Sequence, residues 1–255
     1  RLVWGWINLA GGLVALGPLN RARKRLGLPR VASFSTYLDQ SGYSFLAVDE
    51  RLAPAAAEWP SGFEYTRYPF LDQDLELPGD IRSFIDDGEH APIYVGFGSM
   101  GNTNPEATTQ MLLEALDASG SRAIISEGWA GLGGVSLPKS VLLVKEVSHA
   151  ALFPRLSGVV HHGGAGTTHT AARAGVPQLL LPHITDQFFW ARSVLLEGLG
   201  PQAIPASRVD AQSLAAKLGE LDSAALREKA RVFSSTMATR GAQTLVERLE
   251  KLASG

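Results

Sequence analysis

Short apolar stretches alternate with amphipathic ones in the chain after Pro92. The apolar stretches predict strands over residues 93–97, 122–126, 141–144, 158–161 and 178–181. The amphipathic stretches predict helices over 105–119 and 185–197, a helix that begins near Ala165, and three helical pieces from Asp210 onward. Strands that are almost wholly apolar and alternate with helices are typical of a parallel sheet that is covered on both faces. This part of the chain therefore predicts an α/β fold.

The chain before residue 79 is less regular, and we divide the sequence into residues 1–78 and 79–255. Residues 2–19 are mostly apolar and precede a basic run at 21–25. That pattern fits either a membrane anchor with a basic flank or a buried helix, and the glycines inside it favour the buried helix. Residues 44–48 and 63–65 predict two short strands. The acidic stretch 71–92 predicts a linker with one short helix.

Charge and composition narrow the classes of function. The chain has 23 Lys and Arg against 25 Asp and Glu, and this balance argues against a nucleic-acid-binding protein. It has no cysteine, which excludes disulfide scaffolds, zinc ribbons and thiol nucleophiles. We expect a cytoplasmic protein whose contact with a membrane is at most peripheral.

Two features of the sequence raise the question of a metal site. Five of the six histidines lie between His149 and His183, but no His-Glu-x-x-His or similar ligand spacing is present. Asp72-Gln-Asp74 has the form that some transferases use to hold Mg²⁺ or Mn²⁺. It lies in the acidic linker, and we interpret it as a solvated cluster of charges. We therefore expect no bound metal.

The loop His161-His-Gly-Gly-Ala-Gly-Thr-Thr168 follows a predicted strand and opens a predicted helix. Its glycines let backbone N–H groups approach an anion, and the helix N-terminus adds a partial positive charge. His162, Thr167 and Thr168 offer side-chain donors. The combination suits a diphosphate, whereas the alternative is a tight turn that needs glycine only for packing.

A second polar loop follows the last predicted strand and holds His183, Thr185, Asp186 and Gln187. A carboxylate beside an amide can hydrogen-bond several neighbouring hydroxyls, as recognition of a sugar requires. The alternative is that Thr185 or Asp186 only caps the following helix. Because parallel strands end at the same edge of a sheet, we expect this loop and the glycine loop to share one crevice. Together they predict a site for a sugar diphosphate.

The residues Gly96-Phe-Gly-Ser-Met-Gly101 match the dinucleotide-binding pattern G-x-G-x-x-G after a strand. The next helix is predicted to begin at Pro105, too late for the third glycine to pack inside it. The acidic residue that would bind ribose, Glu127, lies beyond the expected spacing of about 20 residues. An NAD(P) oxidoreductase stays an alternative, and Ser99 can donate to a phosphate in either case.

Three segments carry a resemblance to a known family: His161–Thr168, Arg173-Ala-Gly-Val-Pro-Gln178 and Asp186-Gln-Phe-Phe-Trp190. They resemble the donor signature of nucleotide-sugar glycosyltransferases of the GT-B fold, and are similar to sterol glucosyltransferases and glycopeptide-antibiotic glycosyltransferases. Residues 92–100, 126–129 and 147–154 also resemble segments of that family. The resemblance implies a complete, Rossmann-like parallel-sheet donor domain over residues 79–255. It also implies that residues 1–78 are the remnant of an N-terminal acceptor domain, to which the last helix can return.

The resemblance also implies roles for individual residues. It assigns the donor diphosphate to Ser99, His162, Gly164, Ala165, Gly166 and Thr167, the sugar hydroxyls to Asp186 and Gln187, and the base to the backbone of Val147. Trp129 follows a strand end and either lines the base pocket or serves packing. The plant form of the signature has a glutamate for ribose where this chain has Thr170, so ribose recognition must differ. No residue here matches the family's catalytic base, which we expect in an N-terminal region that precedes this sequence.

The implied reaction is inverting, metal-independent transfer of a hexose from a UDP- or TDP-sugar, UDP-glucose above all. The acceptor would be a hydroxyl of a lipophilic molecule such as a sterol or polyketide. No cofactor is implied, because the nucleotide sugar is a co-substrate. An acceptor domain, absent from this sequence or on a separate polypeptide, is the expected partner. A non-catalytic nucleotide-sugar-binding half of a split enzyme and the NAD(P) oxidoreductase are the alternatives.

Overall fold

The computed structural model describes residues 12–33, 44–55, 63–71, 76–98, 100–101, 103–128 and 131–254. The chain forms two compact units. One contains the residues up to Leu46 together with Ala55–Thr66, and the other contains Ala47–Pro54 and Arg67–Gly255. Most of the apolar stretch 2–19 and all of Asp72-Gln-Asp74 lie outside the described residues.

The described residues of the first unit form one α-helix, preceded by a π-helical turn, and two short strands. A π-helical turn, Gly12–Leu16, leads into helix α1, Gly17–Arg25. The predicted strands are present as a parallel pair, β1 (Ser44–Leu46) and β2 (Phe63–Tyr65), and β1 ends two residues earlier than the sequence predicts. None of the described helices is both long enough and apolar enough to cross a bilayer.

The second unit contains the predicted alternation of strands and helices. Its strands are β3 (Ile93–Gly96), β4 (Ala123–Ser126), β5 (Val141–Val144), β6 (Gly158–His161) and β7 (Gln178–Leu180). Its helices are α2 (Gly79–Asp86), α3 (Pro105–Ser119), α4 (His149–Leu152), α5 (Ala165–Ala174), α6 (Thr185–Leu196), α7 (Ala211–Leu221), α8 (Ala224–Ser235) and α9 (Gly241–Ala253). The predicted strands and helices of this unit are thus confirmed, with some strand and helix ends that differ by one residue, whereas the sequence pattern does not predict α4.

The start of helix α3 is determined by two neighbouring residues, Asn104 and Pro105. Asn104 precedes it, and its side-chain oxygen accepts a hydrogen bond from the N–H of Ala107 at 3.2 Å. Pro105 occupies the first helical position, where its missing N–H costs nothing. A side-chain cap followed by proline therefore confines the helix to residues after Asn104.

The five strands of the second unit are parallel and stand in the order β5-β4-β3-β6-β7. The chain builds outward from β3 to β5 and then crosses to the other side of β3, so the strand order reverses between β3 and β6. At the carboxyl ends of these two strands, Gly96 pairs with His161. Open parallel sheets bind ligands in the crevice at such a reversal. The loops after β3 and β6 are therefore the ones that the topology places at a binding site.

Successive strand residues pack on opposite faces of this sheet. Val95 and Ile125 belong to a core shared with α3 and α7, whereas Tyr94 and Ile124 belong to a core shared with α2, α4 and α5. A third cluster joins α6 and α8 and includes Trp190. Because helices cover both faces, the strand ends are the part of the sheet that a ligand can reach.

Candidate functional site

The two histidines at the end of β6 have different surroundings. His161 is fully buried, and its Nε2 lies 2.9 Å from Oε1 of Gln178 on the neighbouring strand β7. Its Nδ1 accepts a hydrogen bond from the N–H of Gly163 at 3.1 Å. Because Nδ1 accepts, Nε2 carries the proton and donates it to Gln178. His161 is thus a structural residue that fastens the start of the glycine loop to the sheet.

His162 faces the strand reversal. A Cβ atom at Gly98, in the loop after β3, would lie 3.0 Å from Cε1 of His162, and one at Gly164 would lie 2.6 Å from its Nε2. The ring can stand between this loop and the start of α5 because both positions are glycine. Its Nδ1 is buried and has no hydrogen-bond partner among the residues that the structure describes. A buried nitrogen left unsatisfied at this place is a group that a ligand can satisfy.

The first turn of helix α5 adds further donors. Gly164 is the N-cap and makes no side-chain cap, so the N–H groups of Ala165, Gly166 and Thr167 have no partner inside the helix. The structure therefore brings together, at one end of α5, five of the residues predicted to hold a diphosphate. The sixth, Ser99, lies outside the described residues.

The hydroxyls on α5 divide into occupied and available ones. Thr168 donates to the carbonyl oxygen of Gly164 at 2.9 Å, and Thr170 donates to that of Gly166 at 2.8 Å. The expectation that Thr168 donates to an anion is therefore wrong, because its proton is used inside the helix. Thr167 is half-buried and makes no such bond within the described chain, so its hydroxyl is available to a ligand.

The pair predicted to bind sugar hydroxyls opens helix α6. Asp186 is exposed and accepts a hydrogen bond from Oγ1 of Thr185 at 3.2 Å. Gln187 is buried, and its Oε1 accepts from the N–H groups of His183 (2.7 Å) and Ile184 (3.2 Å). Gln187 is therefore the residue whose side chain caps α6, rather than Thr185 or Asp186. The sugar-binding role of Asp186 and Gln187 stays a prediction.

The histidines near the carboxyl ends of the strands are kept neutral. Burial lowers the pKa of His161 to about 3 and that of His149 to about 4. Burial also lowers the pKa of His162, and the neighbouring His183 lowers it further, while the carboxylate of Asp186 acts in the opposite direction. At neutral pH His162 is therefore an uncharged imidazole.

Val147 and Trp129 are the residues predicted to contact the base. Val147 is half-buried in the loop between β5 and α4, where it packs against the core beneath α4. Its contact with a base stays a prediction, and Trp129 lies outside the described residues.

The structure bears on two alternatives to a sugar-diphosphate site, namely a dinucleotide site and a metal site. Helix α3 begins at Pro105, so Gly101 stays outside it and lacks the helix packing on which the dinucleotide pattern depends. For metals, the described ranges contain no cluster of three histidine, aspartate or glutamate side chains arranged to hold an ion.

A polar cluster that the sequence pattern does not reveal lies against α5. Nδ1 of His169 lies 2.7 Å from the carbonyl oxygen of Ala165, and its Nε2 accepts from the N–H of Asp49 at 3.1 Å. Asp49 is buried and pairs with Arg51, with Nε and Oδ1 3.1 Å apart. Burial alone would raise the pKa of Asp49, but the hydrogen bonds and charge of Arg51 hold it below its usual range.

The same cluster includes Tyr68, whose ring stacks on His169 with centroids 4.3 Å apart. Tyr68 and Asp49 lie about a hundred residues before the glycine loop, and no motif or spacing in the sequence connects them to it. Only the fold brings them to α5.

Comparisons with known proteins place the second unit in a family. Residues 111–252 match the family described as erythromycin biosynthesis protein CIII-like, C-terminal domain. A sterol 3-beta-glucosyltransferase of Arabidopsis thaliana is 36% identical over 210 residues, which are 78% of this chain and 34% of the relative. The vancomycin aglycone glucosyltransferase of Amycolatopsis orientalis is 38% identical over 186 residues, which are 72% of this chain and 44% of the relative. This chain thus spans less than half the length of these two relatives.

Solved structures share the fold. The glycosyltransferase of kitacinnamycin superposes with a TM-score of 0.70 at 20% identity, over 93% of this chain and 62% of that one. The glycosyltransferase VinC, solved in complex with DTDP, has a TM-score of 0.63 at 19% identity, over 84% of this chain and 53% of that one. The predicted α/β architecture of the GT-B type is therefore confirmed.

Proposed function

This chain belongs to the family of erythromycin biosynthesis protein CIII-like C-terminal domains, and we propose that it is the donor-binding part of a glycosyltransferase. The donor would be a UDP- or TDP-hexose, UDP-glucose above all, and the acceptor a hydroxyl of a lipophilic molecule such as a sterol or polyketide. The observation that carries the proposal is His162, whose ring lies between the β3 loop and the start of α5 and whose buried Nδ1 has no partner in the described chain. The names of the two glucosyltransferase relatives and the DTDP bound to VinC support the choice of donor and acceptor.

In this proposal the diphosphate binds across the start of α5. The free N–H groups of Ala165, Gly166 and Thr167 donate to phosphate oxygens, and the helix dipole favours their negative charge. His162 donates from the side of the β3 loop, and Thr167 adds its hydroxyl. No metal or cofactor is required, because these groups neutralise the diphosphate directly.

The transfer step follows from where the charge moves. The acceptor oxygen attacks C1 of the hexose while the bond between C1 and the phosphate oxygen breaks, and the configuration at C1 inverts. The bonding electron pair leaves with the nucleoside diphosphate, which becomes more negative as the bond breaks. Donors fixed in advance at that position stabilise the transition state more than the ground state. His162 is well placed to do so, because its ring stands between the β3 loop and the start of α5. No residue of this chain is assigned as the base that removes the acceptor proton.

Titration of UDP into the chain by calorimetry, with EDTA present, tests the proposed donor site. We expect binding in the micromolar range without metal, and a loss of at least about tenfold in affinity in His162→Ala, since a hydrogen bond to a charged group is lost. His90→Ala, which removes an exposed histidine outside the site, is the matched control and should bind like the unaltered chain.

Three results would contradict the proposal in distinguishable ways. Absence of UDP binding together with NADH binding would support the dinucleotide alternative. Equal loss of UDP affinity in the His162 and His90 variants would contradict the assignment of the UDP site to His162. Tight binding of UDP without hydrolysis or transfer from UDP-glucose, measured with the chain joined to an acceptor domain, would leave only a nucleotide-sugar-binding module.

A further inference from the structure

Tyr68 lies in the segment that runs along the outer side of helix α5. Its ring stacks on His169, with ring planes 18° apart. Its hydroxyl lies over Gly166, one turn closer to the start of the helix, where a Cβ atom would lie 3.2 Å from the hydroxyl oxygen. Because Cα–Cβ bonds in a helix point towards the N-terminus, a group in that position stands beside the first turn. The phenol therefore points along α5 towards the proposed diphosphate site.

The imidazole of His169, on which Tyr68 stacks, is held in one orientation. The two ring nitrogens of His169 are both occupied, Nδ1 by the carbonyl oxygen of Ala165 and Nε2 by the N–H of Asp49. An imidazole held at both nitrogens has one tautomer and cannot turn. The ring of Phe70 also contacts that of Tyr68, with ring centroids 4.9 Å apart. The hydroxyl is thus held in place rather than free to sweep through solvent.

The hydroxyl of Tyr68 is also available. The neighbouring hydroxyls of Thr168 and Thr170 donate into the helix backbone, whereas that of Tyr68 makes no hydrogen bond within the described part of the chain. Burial raises the pKa of Tyr68, so the phenol keeps its proton and acts as a donor. A fixed, protonated and unused donor beside free N–H groups serves the same anion that those groups attract.

We propose that Tyr68 is a further contact of the donor, whose hydroxyl donates to a non-bridging phosphate oxygen of the nucleoside diphosphate bound at the first turn of α5. This inference rests on the proposed function, since it needs a diphosphate at that place. It extends the site beyond the strand-end loops to a residue of the segment that precedes α2.

Tyr68→Phe tests the contact because it keeps the ring, and with it the stack on His169. We expect its dissociation constant for UDP to rise about tenfold, the usual effect of one hydrogen bond to a charged group, with an unchanged melting temperature. Thr170→Val is the matched control. It removes a hydroxyl from the next turn of the same helix, and because that hydroxyl is used by Gly166, UDP affinity should not change.

A comparison of ligands identifies the atom contacted. With uridine, which has no phosphate, Tyr68→Phe should bind as well as the unaltered chain. Equal weakening for uridine and UDP would mean that the hydroxyl serves the ribose, and an unchanged UDP affinity in Tyr68→Phe would mean that it serves neither. Either result overturns the inference and leaves the proposed function standing. Failure of the unaltered chain to bind UDP would overturn both.

Discussion

The two ends of the parallel sheet differ in whether their polar side chains have hydrogen-bond partners. At the amino ends of the strands lies a cavity of about 930 Å³ that is lined by Arg122 and Arg227. Arg122 donates to the carbonyl oxygens of His90 and Phe84, and Arg227 pairs with Asp222. At the carboxyl ends the cavity beside the β3 loop is smaller, about 500 Å³, but the buried Nδ1 of His162 near that loop is left without a partner within the described chain.

The difference teaches that the size of a cavity does not locate a ligand site in this fold. Cations that already hold backbone carbonyls and carboxylates have little left to offer a ligand, however much space surrounds them. A buried polar group without a hydrogen-bond partner destabilises the fold, and a ligand that bonds to it removes that free-energy cost. The unpaired Nδ1 of His162 therefore favours the carboxyl end for the proposed ligand site.

The largest expected contrast between the two ends is in acid. His161 and His149 stay neutral in the folded chain, whereas in the unfolded chain they take up protons near their usual pKa of about 6.5. The unfolded state thus binds more protons below pH 6.5, and stability should fall by about 1.4 kcal/mol for each histidine and pH unit. At pH 4.5 the loss should be on the order of 5 kcal/mol, measured by urea unfolding at several pH values.

Two variants show which end causes that loss. His149→Phe keeps an aromatic ring against Phe153 and should reduce the slope of stability against pH by about 1.4 kcal/mol per unit. His90→Gln, which replaces an exposed histidine at the amino end, is the matched control. If both variants change the slope of stability against pH equally, the acid sensitivity does not come from the carboxyl end.

A pair of substitutions should separate binding from stability. Arg122→Met removes two hydrogen bonds and the stacking of the guanidinium on Phe84, so it should lower the free energy of unfolding by about 2 kcal/mol with no change in UDP affinity. His162→Asn should do the reverse and weaken UDP at least about tenfold at nearly unchanged stability. Weaker UDP binding in Arg122→Met would show that the amino end also takes part in binding.

UDP affinity should itself depend on pH through His162. Burial holds the pKa of this histidine below its usual value. We expect a bound diphosphate to raise that pKa, so that binding takes up a proton. The extra affinity is present below the pKa of the complex and is lost as the pH rises through it. Between pH 8 and pH 6 the affinity of the unaltered chain relative to His162→Gln should increase about three- to tenfold. Calorimetry in two buffers of different ionisation enthalpy should detect the proton, and no uptake would refute the assignment.

The smallest expected effect is at the amino end. Arg227 and Asp222 are both largely exposed, and surface ion pairs of this kind contribute less than about 1 kcal/mol. Arg227→Gln should therefore change the free energy of unfolding by less than that amount, with a difference that shrinks in high salt. A large, salt-independent loss would mean that this cavity is a buried electrostatic site.

Local rules explain how much of the fold is predictable from the sequence. Each strand from β3 to β7 is a short apolar run, and α3 carries both a side-chain cap and a proline at its start, so their positions follow from the chain itself. The strand order does not follow, because it depends on pairing between distant segments. The four-residue α4 is too short to show a helical period.

The candidate site is predictable to the level of loops rather than of atoms. The glycine loop and the pair Asp186 and Gln187 can be identified from their residue types alone. Which of two adjacent histidines faces the ligand is decided by Gln178, which lies on another strand and binds His161. Likewise, the inward turn of Gln187 depends on where the chain bends at His183 and Ile184. Tyr68 and Asp49 are invisible in the pattern because their contact with α5 is purely tertiary.

The pairing of β3 with β6 has a kinetic consequence. These strands are far apart in sequence, and until they meet, the loop after β3 and the first turn of α5 do not form one site. Long-range parallel pairing is slow because the intervening chain must first be ordered. A nucleotide that recognises only the finished pair cannot help the chain to reach it. UDP should therefore lengthen the lifetime of the folded state and leave the rate of refolding unaltered.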